Sequence, residues 1–411
     1  MGSVILENCT LLNSDSPELK ENFHLLITND RISEISESPI KSDNAYVIDV
    51  RGKTVMPGLI DAHVHLIATS VDLSTLIKEP ASLTVLRAHK IAEDMLMRGF
   101  TTVRDVGGAD WGLSAAIEQG IVAGPRVFFA GKALSQTGGH GDFRPMTTHW
   151  DHCSCFSSHY DLSVVADGVP AVRKAAREEL RKGASQIKIM ASGGVASPTD
   201  PIWNLQYSEE EIRAIVWEAQ SWGKYVTAHA YTSEAVSRAI EYGVRCIEHG
   251  NLINKQTAQL MAKKGAFIVP TLVTLDAMNE EGATFGLPQV SLDKLKLVRE
   301  SGLDILEMTQ REGVKVGFGT DLLGELHHYQ SRELLIRSQI LTPFEVLKSA
   351  TATNAELVNK TGELGVIKEG AIADLLVVDG DPLEDLNLLQ EQGRYIPLIM
   401  KDGEIYKNTL N

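Results

Sequence analysis

Eight short apolar runs, spread over residues 55–321 and interleaved with helical patterns, constrain this chain more than any other feature. They fall at 55–65, 101–105, 126–130, 186–190, 225–229, 246–249, 267–271 and 315–321. Helical patterns at 172–181, 208–222 and 232–242 separate several of them, and Ser208 with Glu211 has the Ser-x-x-Glu form of a capping box. Eight successive β/α units predict an α/β fold closed as a (β/α)8 barrel. A doubly wound open sheet is the competing topology. It would gather its ligand-binding groups at one switch point, whereas here polar residues end many of the runs.

Both chain ends have a different texture. Runs at 4–6, 24–27, 31–35 and 46–50 read as short strands between turn formers, and so do 373–378 and 397–400. Neither end alone can bury much of a core. The expectation is one small β-sandwich-like domain built from 1–56 and 359–411, flanking a barrel over 57–358.

The 411 residues carry 54 acidic and 39 basic side chains, a formal net charge of −15. Such a surface repels a phosphate backbone and disfavours nucleic acid as a partner. No apolar stretch reaches the roughly 18 residues of a membrane span, so no membrane association is expected. The first residues lack the basic and apolar regions of a signal peptide, although a removed leader stays open. Four cysteines are too few for a disulfide scaffold. A cytoplasmic protein is expected.

The chemistry-bearing residues end the apolar runs. His63 and His65 share one face of a strand, so both imidazoles can reach one cation; two packed core histidines are the plainer alternative. Lys188 lies inside Ile187-Lys188-Ile189-Met190, where an unpaired ammonium is costly. It can be a salt-bridged core lysine, a Schiff-base lysine, or a lysine carboxylated by CO2 into an oxygen ligand. The histidines nearby favour the last over the Schiff base. His229, His249 and Asp321 end three further runs. One such residue is usually structural, but six at the ends of five strands point to a metal centre.

The motifs Pro57-Gly58-Leu59-Ile60-Asp61-Ala62-His63-Val64-His65, Lys188, His229, Glu248-His249-Gly250 and Gly319-Thr320-Asp321 occur in this order. With them the chain resembles the amidohydrolase superfamily over nearly its whole length. Thr137-Gly138-Gly139-His140-Gly141-Asp142, the run from Lys188 to Val195, Ser197-Pro198-Thr199-Asp200-Pro201 and His229-Ala230-Tyr231 make it similar to the Xaa-Pro dipeptidase (prolidase) and carboxypeptidase-like group, near imidazolonepropionase-like proteins and ochratoxin amidohydrolases.

The resemblance implies two divalent metal ions, zinc by preference. His63, His65 and Asp321 would hold one, and His229 and His249 the other. Lys188, N6-carboxylated by CO2, and a hydroxide would bridge them. It implies hydrolysis of the amide bond to a C-terminal amino acid in a dipeptide or N-acyl amino acid. Asp321 would carry the proton, and His140 and Tyr231 would bind substrate. The pair Gly193-Gly194 with Val195 suggests backbone amides near a substrate carboxylate. The alternatives are a cyclic-amide or imidazolone-type ring hydrolase, an amidase for an amino-acid-conjugated toxin such as ochratoxin, and a metal-stabilised scaffold without turnover. The partners expected are a small-molecule or dipeptide substrate and further copies of the chain in a homo-oligomer.

Residues 149–159 concentrate histidines and cysteines in spacings that do not fit a zinc knuckle, and read as a lid over the substrate. His327 and His328 read as loop residues that could touch substrate. Cys9 and Cys246 read as small core residues. Glu325, Arg332 and Arg337 are candidates for setting side-chain preference that nothing in the sequence selects.

Overall fold

The computed structural model describes residues 2–76, 79–144, 162–197 and 199–410. The N-terminal strands are β1 (Ser3–Leu12), β2 (Leu19–Thr28), β3 (Arg31–Ser36), β4 (Tyr46–Asp49) and β5 (Thr54–Pro57). The middle of the chain supplies β6 (Leu59–Val64), β7 (Phe100–Asp105), β8 (Arg126–Phe129), β9 (Ala133–Ser135), β10 (Ser163–Val165), β11 (Ile187–Met190), β12 (Val226–Thr232), β13 (Cys246–Leu252), β14 (Phe267–Val269) and β15 (Lys315–Val316). The C-terminal strands are β16 (Leu375–Val378), β17 (Leu398–Lys401) and β18 (Glu404–Asn408).

The two chain ends form one eight-stranded sheet, ordered β18-β17-β16-β5-β1-β2-β3, with β4 also on β1. Its middle strands are apolar on both faces for a reason visible residue by residue. Leu375 and Val377 of β16 enter one core with Leu25, Ile27 and Val55. Leu376 and Val378 point the other way, into the barrel's core. β17 divides similarly, with Leu398 and Met400 on one side and Ile399 on the other. A strand with period-two side chains and a core on each face reads as an unbroken apolar run.

The barrel strands run parallel, in the paths β6-β7-β8 and β9-β11-β12-β13-β14-β15. β8 and β9 are successive pieces of one barrel strand. Ser185 donates its N–H to the Phe129 carbonyl (2.8 Å), and Ile189 of β11 pairs with Leu134 of β9. At the other seam, Ala62 N–H reaches Phe318 O (2.9 Å) and Asp321 N–H reaches His63 O (2.8 Å). Residues 317–321 thereby continue β15 and close the ring. This closure excludes the open doubly wound sheet. The fold is a TIM barrel with a sheet-rich small domain from the chain ends.

The run 55–65, read as a single barrel strand, is two strands in different sheets. β5 pairs with β16 and β1, and β6 pairs with β7. Gly58 makes the crossing, because a Cβ there would stand 2.1 Å from Thr101 Oγ1. Helices Val169–Arg181, Glu209–Ser221 and Ser233–Glu241 lie where the periodicity puts them. Ser208 and Glu211 close both halves of the capping box. Among the described residues no helix is long and apolar enough to cross a membrane.

Candidate active site

Parallel strands bring their C-terminal ends to one rim, and the six candidate ligands meet there. His63 lies in β6 and His65 just beyond it; Lys188, His229 and His249 lie in β11, β12 and β13. Asp321 ends the extension of β15. All six line one cleft with His140, Tyr231 and Val195. One ligand atom each from His63, His249 and Asp321 lie within 4.8 Å of one another. Asp321 Oδ1 is also 3.2 Å from His63 Nε2 and 3.3 Å from His65 Nε2.

Three imidazoles are held by Nδ1, which leaves Nε2 on offer. His63 Nδ1 bonds Glu248 Oε2 at 2.7 Å, His65 Nδ1 bonds the Gly107 carbonyl at 2.8 Å, and His249 Nδ1 bonds Thr271 Oγ1 at 2.8 Å. His229 is turned round: its Nε2 faces the Gly193 carbonyl at 3.2 Å, leaving Nδ1. Glu248 is itself fixed by Arg104 (2.6 Å) and by a short bond from Thr227 Oγ1, and Arg104 also donates to the Ala62 carbonyl at 2.6 Å. Carboxylate–histidine pairs of this kind set the tautomer and orientation of metal-binding imidazoles.

The electrostatics suit a cation. Burial, with the neighbouring His140 and His249, pushes His229 well below the usual histidine range. Burial does the same to His249 against the pull of Asp321. Both rings are therefore neutral, the form that coordinates. Burial alone would raise the Asp321 pKa, but His63 and His65 hold it well below the carboxylate range, so it is ionised. Burial lowers the Lys188 amine despite Glu248 and Asp321. His63 Nε2 is buried and has no hydrogen-bond partner among the described residues. An orphaned nitrogen aimed at an ionised carboxylate beside neutral imidazoles is a donor set that fits a divalent cation.

His140 and Tyr231 flank this cluster. The His140 ring stacks on His229 (centroids 4.1 Å apart), and Tyr231 stacks on His249 (5.1 Å). Burial raises the Tyr231 phenol far above its usual value, so it keeps its proton. Burial pushes His140 down to about 4. Val195 lines the cleft, but the Gly193-Gly194 pair does not form the amide cradle expected of it. The Gly193 N–H goes to the Asn204 carbonyl (2.9 Å) and the Gly194 N–H to Asp200 (3.1 Å). Gly194 serves another purpose: a Cβ there would stand 2.1–2.5 Å from three His140 ring atoms.

Sequence reading passed over Arg104, Thr271, Asp105 and Asp61. Arg104 is a fully buried arginine within an apolar run, a signal that was available. Asp105 accepts from the Leu66, Gly107 and Ala109 amides, fixing the turn that faces His65. Asp61 accepts from Thr320 and Gln330 and so ties the first strand to the last. His327 neither touches the cleft nor meets solvent; it is 5 % exposed. His328 is exposed and bonds the Glu325 carbonyl. Arg332 pairs with Glu280 at the surface and Arg337 with buried Glu333, and none of these, nor Glu325, lines the cleft. Cys9 and Cys246 are buried free thiols. The lid expected at 149–159 lies outside the described residues.

A family model, the amidohydrolase family, matches residues 54–405. The chain belongs to the amidohydrolase family. This amidohydrolase is 31 % identical over 380 residues to an ochratoxinase of Aspergillus niger, covering 87 % of the chain and 76 % of the relative. It superposes on the crystal structure of a prolidase complexed with N-methylphosphonate-L-proline with a TM-score of 0.97 and 52 % identity, covering 99 % of this chain and 100 % of that one. A Xaa-Pro dipeptidase with bound methionine matches with a TM-score of 0.88 and 30 % identity, over 99 % and 100 % of the two chains. The amidohydrolase is accordingly a metal-dependent hydrolase.

Proposed function

We propose that this amidohydrolase cleaves the amide bond to a C-terminal amino acid, in Xaa-Pro dipeptides or N-acyl amino acids, using two divalent cations. The observation that carries the reading is the convergence of the His63–His249–Asp321 cluster with His140 and Tyr231 in one cleft. The 52 % identity to a prolidase supports the substrate class.

His63, His65 and Asp321 would hold one cation, and His229 and His249 the other, zinc being the ion that this donor set suits. Lys188 would serve both after its neutral amine adds CO2 and releases a proton, and burial favours that neutral amine. When bound, the cations would polarise the scissile carbonyl and make water acidic enough to attack at neutral pH. Asp321, ionised and in contact with both first-strand histidines, accepts a proton from the attacking water. It then hands that proton to the departing amine nitrogen. Tyr231 keeps its phenolic proton and so donates a hydrogen bond to the substrate's carboxylate or developing oxyanion, with His140 beside it.

The test is a panel of Xaa-Pro dipeptides and N-acyl amino acids, varied at the C-terminal residue, given to protein stripped by chelator. Turnover is expected to return only when zinc and bicarbonate are both restored. Turnover that survives stripping, or none across the panel in fully restored protein, overturns the proposal. Ochratoxin belongs in the panel because the ochratoxinase relative favours amino-acid-conjugated toxins as a second substrate class.

A further inference from the structure

Behind His140 lies a buried network that the proposed hydrolysis does not use. Ser197 is fully buried, and its Oγ stands 2.7 Å from His140 Nδ1. The same hydroxyl makes a short hydrogen bond to Asp200 Oδ1. Asp200 is 1 % exposed, and its Oδ2 accepts from the Gly194 N–H and from Gln206 Nε2, both at 3.1 Å. Three donors converging on one side chain is the pattern of a carboxylate, which only accepts. The Ser197 proton therefore points at Asp200, and Ser197 Oγ is left to accept from His140. That places the imidazole proton on Nδ1 and presents Nε2 to the cleft.

The turn carrying this relay is itself tied down. Lys294, on the helix Gln289–Arg299, donates to the carbonyls of Gly194 (3.0 Å), Ser197 (2.6 Å) and Asp200 (2.5 Å). An ammonium has three protons, and all three go to this one turn. The His140 backbone N–H is fixed as well, to Gln206 Oε1 at 2.9 Å.

We propose that Ser197, Asp200 and Lys294 are positioning residues for His140: the Ser197–Asp200 relay fixes the ring's orientation and its Nδ1 proton, and Lys294 clamps the relay from the helix Gln289–Arg299. The kinetic consequence rests on the reading that His140 contacts substrate; the tautomer does not.

Two measurements test this on zinc- and bicarbonate-restored protein. In steady-state kinetics on a cleaved dipeptide or N-acyl amino acid, Ser197→Ala and Lys294→Met should each raise KM about tenfold and change kcat less than about threefold, at unchanged zinc content. Ser197→Thr, which keeps the hydroxyl, should restore KM. Adding Ser197→Ala to His140→Ala should change nothing further, because the relay acts only through that ring. A Ser197→Ala effect that persists undiminished in the His140→Ala background overturns the proposal.

The second readout needs no turnover. In protein with nitrogen-15-labelled histidine, the signal lost in His140→Gln should report a proton on Nδ1, and Ser197→Ala should abolish that preference. An Nε2–H signal in the wild-type protein overturns the relay. A wild-type protein that cleaves nothing in the panel defeats the proposed function, while the nitrogen signals still decide the relay.

Discussion

Asp321, His249 and Thr271 all adopt left-handed backbone, at φ of +52°, +74° and +50°. For a β-branched threonine this conformation is costly, on the order of 1–3 kcal/mol, and it persists only where the surroundings impose it. Here it aims the Thr271 hydroxyl at His249 Nδ1 and the Asp321 carboxylate at His63 and His65. Asp321→Asn keeps an oxygen donor but cannot take a proton. It should leave most of the bound metal, seen by metal analysis, and lower kcat by about 10²–10⁴-fold. Unreduced kcat would remove Asp321 from proton transfer. His327 supports a different expectation. Burial first, and Arg98 second, push it from the ordinary 6.5 to about 3. Between those values the unfolded chain takes up a proton that the native ring refuses. Stability therefore falls as pH drops below 6.5, by about 1.4 kcal/mol per pH unit. His327→Phe should remove that slope. The stability lost between pH 7 and pH 5 in urea unfolding should shrink by about 2 kcal/mol relative to the unchanged protein.

At the scale of strands and helices, the periodic pattern located the barrel runs but not where a run changes sheet. β5 and β6 are continuous in apolar character because both are buried on both faces. Only the close approach to Thr101 marks Gly58 as the crossing. Gly58→Ala should destabilise the protein by about 1–3 kcal/mol through overpacking, read as a lowered Tm. Thr101→Ala should recover part of the loss, since it removes the two nearest clashing atoms. The short strand β10, parallel to β9, left no readable signal, because three half-buried residues carry too little periodicity. The helix Glu209–Ser221 was legible from Ser208 and Glu211, because a capping box is a contact between residues three apart.

Across the whole molecule, the eight-stranded sheet joins residues more than 300 positions apart, as in the pairing of Val55 with Val377. Ile396, Leu398, Ile399 and Met400 are all fully buried between this sheet's core and the barrel. At about 1.5–3 kcal/mol for each buried side chain, losing these four removes about 6–12 kcal/mol. That rivals a typical total stability of about 5–15 kcal/mol. A chain stopped after residue 395 should lose its cooperative thermal transition and go to the insoluble fraction. A sharp transition at the full-length Tm would show instead that the barrel stands without β17 and β18.

The alternation of apolar runs and the identity of the residues that end them are local properties, and they sufficed to read the barrel, the composite small domain and six candidate ligands. What local pattern does not carry is which side chain stands behind which. The bond from Glu248 to His63 spans 185 positions, that from Ser197 to His140 spans 57, and Lys294 reaches Gly194 across 100. Such pairings exist only once the barrel has closed and brought distant strand ends to one rim. The tautomers and ionisation states of the cleft follow from burial and neighbours, which tertiary structure alone decides.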